Sequence, residues 1–162
     1  MTPDAPRICS VESSHIAELI SIGELTNLSP WSAQSYLDEM KNPNAIMLRL
    51  VTNDNETAGF VVGRLVPGGE IERQMDAEIY NIAVLPDHQR KKYGQQLLGS
   101  FLDHADACHA SCVWLEVRES NKKAIQFYKK HGFEQVQSRP NFYENPREAA
   151  LLMRLKLSSE KS

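Results

Sequence analysis

The sequence predicts an α/β fold of the α+β kind, with seven strands and four helices in the order β-α-α-β-β-β-α-β-α-β-β. Three observations predict it. The apolar runs "AIMLRLVTN" and "TAGFVVGRLV" flank the polar turn "NDNE" and read as a hairpin. From Pro86 the pattern changes to strand, helix, strand, helix. Two further strand patterns, "FEQVQS" and "AALLMRLKL", follow the last helix.

Taken in order, "RICSVES" is the first strand. "SSHIAELISIGELT" carries Ile16, Leu19, Ile20, Gly23 and Leu25 at near-helical spacing. After "NLSP", the stretch "WSAQSYLDEM" gives a second short helix with Trp31, Tyr36, Leu37 and Met40 as its apolar members. The hairpin follows, then an exposed connection, "PGGEIERQMD", then the strand "AEIYNIAVL". The third helix begins near Lys92; Tyr93, Leu97, Leu98, Phe101, Leu102 and Ala105 fall on one stripe. "CVWLEV" is apolar apart from Glu116, as suits a central strand buried on both faces. "NKKAIQFYKK" is a short helix capped by Asn121 and closed by His131-Gly132, where glycine suits the left-handed position. The unit from Glu78 to Val117 is strand, crossover helix, strand, so its strands are expected to be parallel. In such sheets ligands bind beyond the carboxyl ends of the strands, near helix N-termini.

The chain has 162 residues, which suits a single domain over 1–162 with one core. Its net charge of −3 gives no global attraction to nucleic acid or an anionic membrane, so affinity for an anion has to be local. No apolar run approaches the roughly 20 residues of a membrane span. "MTPDAPRICS" has no apolar segment of signal-peptide type, and the expected compartment is the cytoplasm. The cysteines Cys9, Cys108 and Cys112 form no even framework. "HADACHASC" matches no zinc spacing, so no metal is expected, and Cys108 and Cys112 read as small core residues.

Two constellations carry chemistry. The first is the helix start after "NIAVLPD". A helix N-terminus holds about half a unit of positive charge, and acidic neighbours usually complement it. Here Gln89, Arg90, Lys91 and Lys92 precede it instead. A bound pyrophosphate would make that charge favourable, and Gly94 would let the backbone approach it. The other reading is a solvated basic turn. The second constellation is "WLEVRESNKKAIQFYKKHGF". Glu116 lies among Trp114, Leu115 and Val117, where desolvation raises a carboxylate's pKa toward that of a general base. It reads equally as a strand carboxylate paired with an arginine, Arg118 or another. Tyr128, on the face of Ala124 and Ile125, is either a core residue with a polar tip or a proton donor. Asn121 is an N-cap or a ligand contact.

Together these residues resemble the GNAT superfamily of acetyl-CoA-dependent N-acetyltransferases, over essentially the whole chain. "PWSAQSY", "NIAVLPDHQRKKYGQQLL", "WLEVRESNKKAIQFYKKHGF" and "RPNFYENPREAALLM" carry the resemblance. The first and last single out the branch that acetylates ribosomal-protein N-terminal alanine. The resemblance implies a mixed, mostly antiparallel seven-stranded sheet flanked by four helices. It implies acetyl-CoA as co-substrate, with pantetheine along Ile82, Ala83 and Val84. The pyrophosphate would lie on Arg90, Lys91, Lys92, Tyr93, Gly94 and Gln95, and Asn121 would contact the cofactor.

Glu116 matches the family's proton acceptor and Tyr128 its proton donor. Asn141, Phe142 and Tyr143, in the loop from Arg139 to Tyr143, become candidates for lining the acceptor. For Phe142 and Tyr143 edge packing is the alternative. The implied acceptor is the N-terminal alanine of the eighteenth protein of the small ribosomal subunit, with no direct nucleic-acid or membrane partner. Glu78, on the strand face of Tyr80, Ile82 and Val84, is a rival base. Lys92 stands where the family's phosphate loop usually has its first glycine, a place a lysine fits if its φ is negative. Two other functions stay open: transfer to a small amine or lysine side chain, and a non-catalytic acyl-CoA-binding module.

Overall fold

The computed structural model describes residues 6–26, 28, 31–68 and 74–157. Its strands are β1 (Arg7–Ser10), β2 (Ala45–Val51), β3 (Thr57–Pro67), β4 (Met75–Val84), β5 (Ala110–Arg118), β6 (Glu134–Tyr143) and β7 (Glu148–Lys156). Its helices are α1 (Ile16–Leu25), α2 (Ala33–Met40), α3 (Tyr93–Ala107) and α4 (Lys122–Lys130). The element order is the one the sequence predicts. The seven strands form one mixed sheet in the order β1-β2-β3-β4-β5-β7-β6.

The described residues gather into two compact units that divide β4 between them. One unit holds those up to Leu65 together with Tyr80–His104. Its strands β1, β2 and β3 are antiparallel, with pairs such as Ile8↔Leu50 and Leu48↔Val61. Helix α2 starts where Ser32 Oγ accepts from Ser35 N at 3.0 Å, a side-chain cap for one of the otherwise unpaired first-turn amides. Leu19 and Ile22 of α1 and Tyr36 of α2 bury against Met47, Phe60, Val62 and Ala83 of the strands. Inside this core Asn81 Nδ2 reaches Tyr36 Oη at 3.5 Å, and burial raises the Tyr36 phenol to about 12. A Cβ on Gly59 of β3 would lie 2.6 Å from the Ala83 carbonyl oxygen, so only glycine allows that close backbone approach.

The other unit holds the described residues of Val66–Ile79 and those from Ala105 onward. Here β4 and β5 pair in parallel from Met75↔Ala110 to Ile79↔Leu115, as the crossover pattern predicts. β7 lies antiparallel between β5 and β6. Helix α4 begins where Asn121 Oδ1 accepts from Ala124 N at 3.2 Å. It ends at Gly132, whose φ is 95°. Ile125 and Tyr128 are its buried residues.

Four expectations are corrected. β4 begins at Met75, two residues early, because buried Asp76 accepts from Cys112 N and Trp114 Nε1 of β5 and extends the pairing. β5 is fully buried on one face only. Val113, Leu115 and Val117 are buried, while Cys112, Trp114, Glu116 and Arg118 are half-buried. Residues 139–143 belong to β6 rather than to a loop, with a break in register between Arg139 and Tyr143. Cys108 is exposed, since α3 ends one residue before it, and Cys112 is half-buried; neither is core. Part of the connection "PGGEIERQMD" lies outside the described residues.

Among the described residues no helix is long and apolar enough to cross a membrane. Nor do three or more His, Cys, Asp or Glu side chains among them gather as a metal-binding group.

Candidate active site

In the first unit β4 alternates, with Ala83 buried and Ile82 and Val84 half-buried. A short 3-10 turn, Pro86–His88, follows. Gln89 then folds back, its Nε2 donating to the Val84 carbonyl at 3.0 Å, and so fixes the loop against the strand end. Arg90, Lys91 and Lys92 are exposed. Tyr93 stacks on His88 at 6.0 Å between ring centroids, and Lys91 Nζ lies 3.3 Å from His88 Nδ1.

Helix α3 opens with Gln96 N donating to Lys92 O at 3.1 Å. The amides of Tyr93, Gly94 and Gln95 therefore stand at the open end of the helix, where an α-helix has no internal partners for them. Arg90 and Lys92 have φ of 68° and 64°, so the condition under which a lysine fits the glycine position is not met. A lysine in the left-handed region costs about 1–2 kcal/mol. Left-handed residues in such a turn gather backbone N–H groups into a concavity that suits an anion. The chemistry of this segment fits a diphosphate: free amides, a helix dipole and three cations in one short run.

In the second unit Glu116 is half-buried on β5. Arg139 Nη1 donates to its Oε1 at 3.2 Å. Its other oxygen, Oε2, is buried with no hydrogen-bond partner among the described residues. Burial raises the Glu116 pKa above the ordinary carboxylate value; Arg139 opposes the rise and the charge of Glu78 adds to it. Both sequence readings of Glu116 therefore hold at once: it is desolvated and it is paired. The partner is Arg139, while Arg118 bonds Glu148 Oε1 at 3.1 Å instead.

Tyr128 of α4 is buried, and burial, aided by the nearby Tyr143, lifts its phenol well above the usual range. It stays protonated through neutral pH. Tyr143, in turn, is raised by its own burial and then by the Glu116 charge. Glu116, Glu78, Tyr143 and Tyr128 thus form one electrostatic group. Asn121 has the cap role described, through Oδ1. Asn141 has a φ of 57° within the irregular stretch of β6. Phe142 is 47% exposed and meets Tyr143 edge-on at 5.0 Å.

Two contributors are absent from the sequence reading, the Arg139 partnership and the anchoring of Tyr143. The Arg118 guanidinium lies 4.3 Å from the Tyr143 ring centroid and bonds the Glu144 and Pro146 carbonyls at 3.2 and 3.0 Å. The signal available was the count of arginines near "LEVRES" and "RPNFY"; which one takes Glu116 depends on strand register.

The family model described as the acetyltransferase (GNAT) family matches residues 16–133. The [ribosomal protein bS18]-alanine N-acetyltransferase of Escherichia coli is 30% identical over 153 residues, 93% of this chain and 97% of its own. The Haemophilus influenzae protein of the same name is 32% identical over 149 residues, 90% of this chain and 95% of its own. The crystal structure of the Escherichia coli ribosomal-protein-S18-alanine N-acetyltransferase superposes with a TM-score of 0.81 at 28% identity, covering 98% of this chain and 99% of that one. With the strand order, the basic helix start and near-full-length relatives in agreement, the chain belongs to the acetyltransferase (GNAT) family.

Proposed function

We propose that the protein is an acetyl-CoA-dependent N-acetyltransferase whose acceptor is the N-terminal alanine of a small-subunit ribosomal protein, in the cytoplasm. The names and near-complete coverage of its relatives support the acceptor. The observation that carries the chemistry is Glu116: a carboxylate raised by burial, one oxygen held by Arg139 and the other buried and unpartnered.

An N-terminal amine has an ordinary pKa of about 7.7–8.0, so it is mostly protonated at neutral pH and cannot attack a thioester. Glu116 takes that proton, directly or through a water, and its raised pKa narrows the gap to the amine. The nitrogen then forms its bond to the acetyl carbon as the carbon–sulfur bond breaks. A backbone N–H at the Ile82–Val84 end of β4 steadies the carbonyl oxygen as it gains charge. Tyr128, kept protonated by burial, gives its proton to the departing thiolate. Bound acetyl-CoA supplies the activated acyl group. Arg90, Lys91, Lys92 and the amides of Tyr93, Gly94 and Gln95 hold its diphosphate, Ile82 to Val84 flank its pantetheine, and Asn121 contacts it. Asn141, Phe142 and Tyr143 line the acceptor.

The test is acetyl transfer, read by mass spectrometry, to an alanine-ended peptide, an N-terminally blocked lysine peptide and a polyamine. Transfer to the alanine α-amine at least about tenfold faster than to the others supports the assignment. Faster transfer to lysine or polyamine moves the protein to another acceptor class. Acetyl-CoA binding without transfer to any of them makes it a binding module.

A further inference from the structure

We propose that Arg139 is a positioning residue for the acetyl transfer: by donating to Glu116 Oε1 at 3.2 Å it fixes the carboxylate in place and keeps it ionised, ready to take the acceptor amine's proton. The inference rests on the reading of Glu116 as the base and deepens it.

The geometry is specific. Arg139 stands on β6 opposite Ala150, where the regular ladder with β7 stops before the break that ends at Tyr143. Its side chain is 44% exposed and that of Glu116 28%, so the cation reaches the carboxylate from the solvent side. The other arginines near this face are committed elsewhere. Arg118, two residues along β5, serves Glu148 and the carbonyls of the β6–β7 turn, and Arg154 of β7 lies over the Trp114 ring at 5.4 Å.

Groups from four elements surround Glu116. β4 contributes Glu78, and β6 contributes Arg139 and Tyr143. β7 sets apolar Leu152 opposite it, and α4 contributes Tyr128, whose phenol is raised by burial and by Tyr143. Burial and Glu78 both favour the protonated acid, whereas Arg139 favours the carboxylate. A base that already holds a proton cannot take one from the amine. Arg139 therefore sets the lower edge of the pH range in which Glu116 works.

The experiment measures kcat/KM against pH for an alanine-ended peptide at saturating acetyl-CoA, using the wild type, Arg139→Gln, Arg139→Lys and Glu116→Gln. Folding of each variant is checked by thermal melting. We expect the acidic limb of Arg139→Gln to move up by roughly one pH unit. Its rate should fall most on the acidic side of the profile and return to the wild-type plateau at higher pH. Arg139→Lys should lie between it and the wild type, and acetyl-CoA affinity should not change. A loss of equal size at every pH, or an unmoved limb in both arginine variants, overturns the proposal, because a merely structural arginine gives that result. Full activity in Glu116→Gln overturns the underlying reading of the base. An inactive Glu116→Gln with an unmoved Arg139→Gln limb overturns the Arg139 role alone.

Discussion

Trp114 Nε1 donates to Oδ2 of buried Asp76 at 2.9 Å, while Asp76 Oδ1 accepts from Cys112 N at 3.2 Å. One carboxylate on β4 thus bonds both a side chain and the backbone of β5, beside the parallel ladder that carries Glu78 and leads to Glu116. Removing the carboxylate leaves the Trp114 and Cys112 donors without their partner, which costs more than the bonds alone contribute. Asp76→Ala should therefore lower stability by about 2–4 kcal/mol, as urea unfolding would record. Trp114→Phe should cost less, because the Cys112 amide still serves the carboxylate. A loss below about 0.5 kcal/mol for Asp76→Ala would mean the pair does not hold these strands in register.

Lys92 adopts a φ of 64° at the start of α3. Replacing it by glycine removes about 1–2 kcal/mol of left-handed strain and adds back part of that as unfolded-chain entropy. Lys92→Gly should raise stability by about 0.5–1 kcal/mol in denaturant titration. Lys92→Ala keeps the strain and should show no such gain.

The raised pKa of Glu116 has a pH signature in stability. A group whose folded pKa lies above its unfolded value contributes its full stability below the unfolded pKa. It loses that contribution as pH rises through the folded pKa. The folded protein then carries the cost of a desolvated charge. Glu116→Gln, which cannot ionise, should melt at a higher temperature than the wild type above the carboxylate range, at pH 7–8. Near pH 4 the two should melt alike. The opposite order at neutral pH would mean that the Arg139 pair outweighs burial.

Arg118 stacks on Tyr143 at 4.3 Å and holds the β6–β7 turn through the Glu144 and Pro146 carbonyls and Glu148. Arg118→Ala should lower the melting temperature by about 4–8 °C and raise KM for the acceptor peptide several-fold, since the turn holds the end of β6 where Tyr143 stands. Arg118→Lys should recover little, because an ammonium cannot reproduce the planar fork. An unchanged KM would separate the turn from acceptor binding.

The helices and the hairpin were legible because local rules decide them. Asn121 caps α4 and Gly132 closes it, and the apolar stripe of α3 buries Leu97, Leu98 and Phe101. The parallel β4–β5 pairing was legible from its crossover helix. What local rules could not supply was the pairing of side chains distant in sequence. Glu116 was recognisable as a desolvated carboxylate, but Arg139, 23 residues away, meets it only through the β5–β7–β6 order and register. The nearer candidate, Arg118, is drawn off by Glu148, 30 residues away. The family resemblance implies a loop over residues 139–143; Pro140 and Asn141 do disfavour regular pairing, but the strand continues across them by breaking register with β7. Cys108 read as core because the α3 stripe extrapolates to it, yet the helix stops at Ala107 and turns it outward.

The most direct test of proton transfer by Glu116 and Tyr128 is single-turnover acetylation of an alanine-ended peptide by Glu116→Gln and Tyr128→Phe, with acetyl-CoA binding measured calorimetrically on the same samples. We expect each variant to bind acetyl-CoA as the wild type does and to transfer the acetyl group at least about tenfold more slowly. Wild-type transfer rates in both variants, with binding intact, would contradict the account.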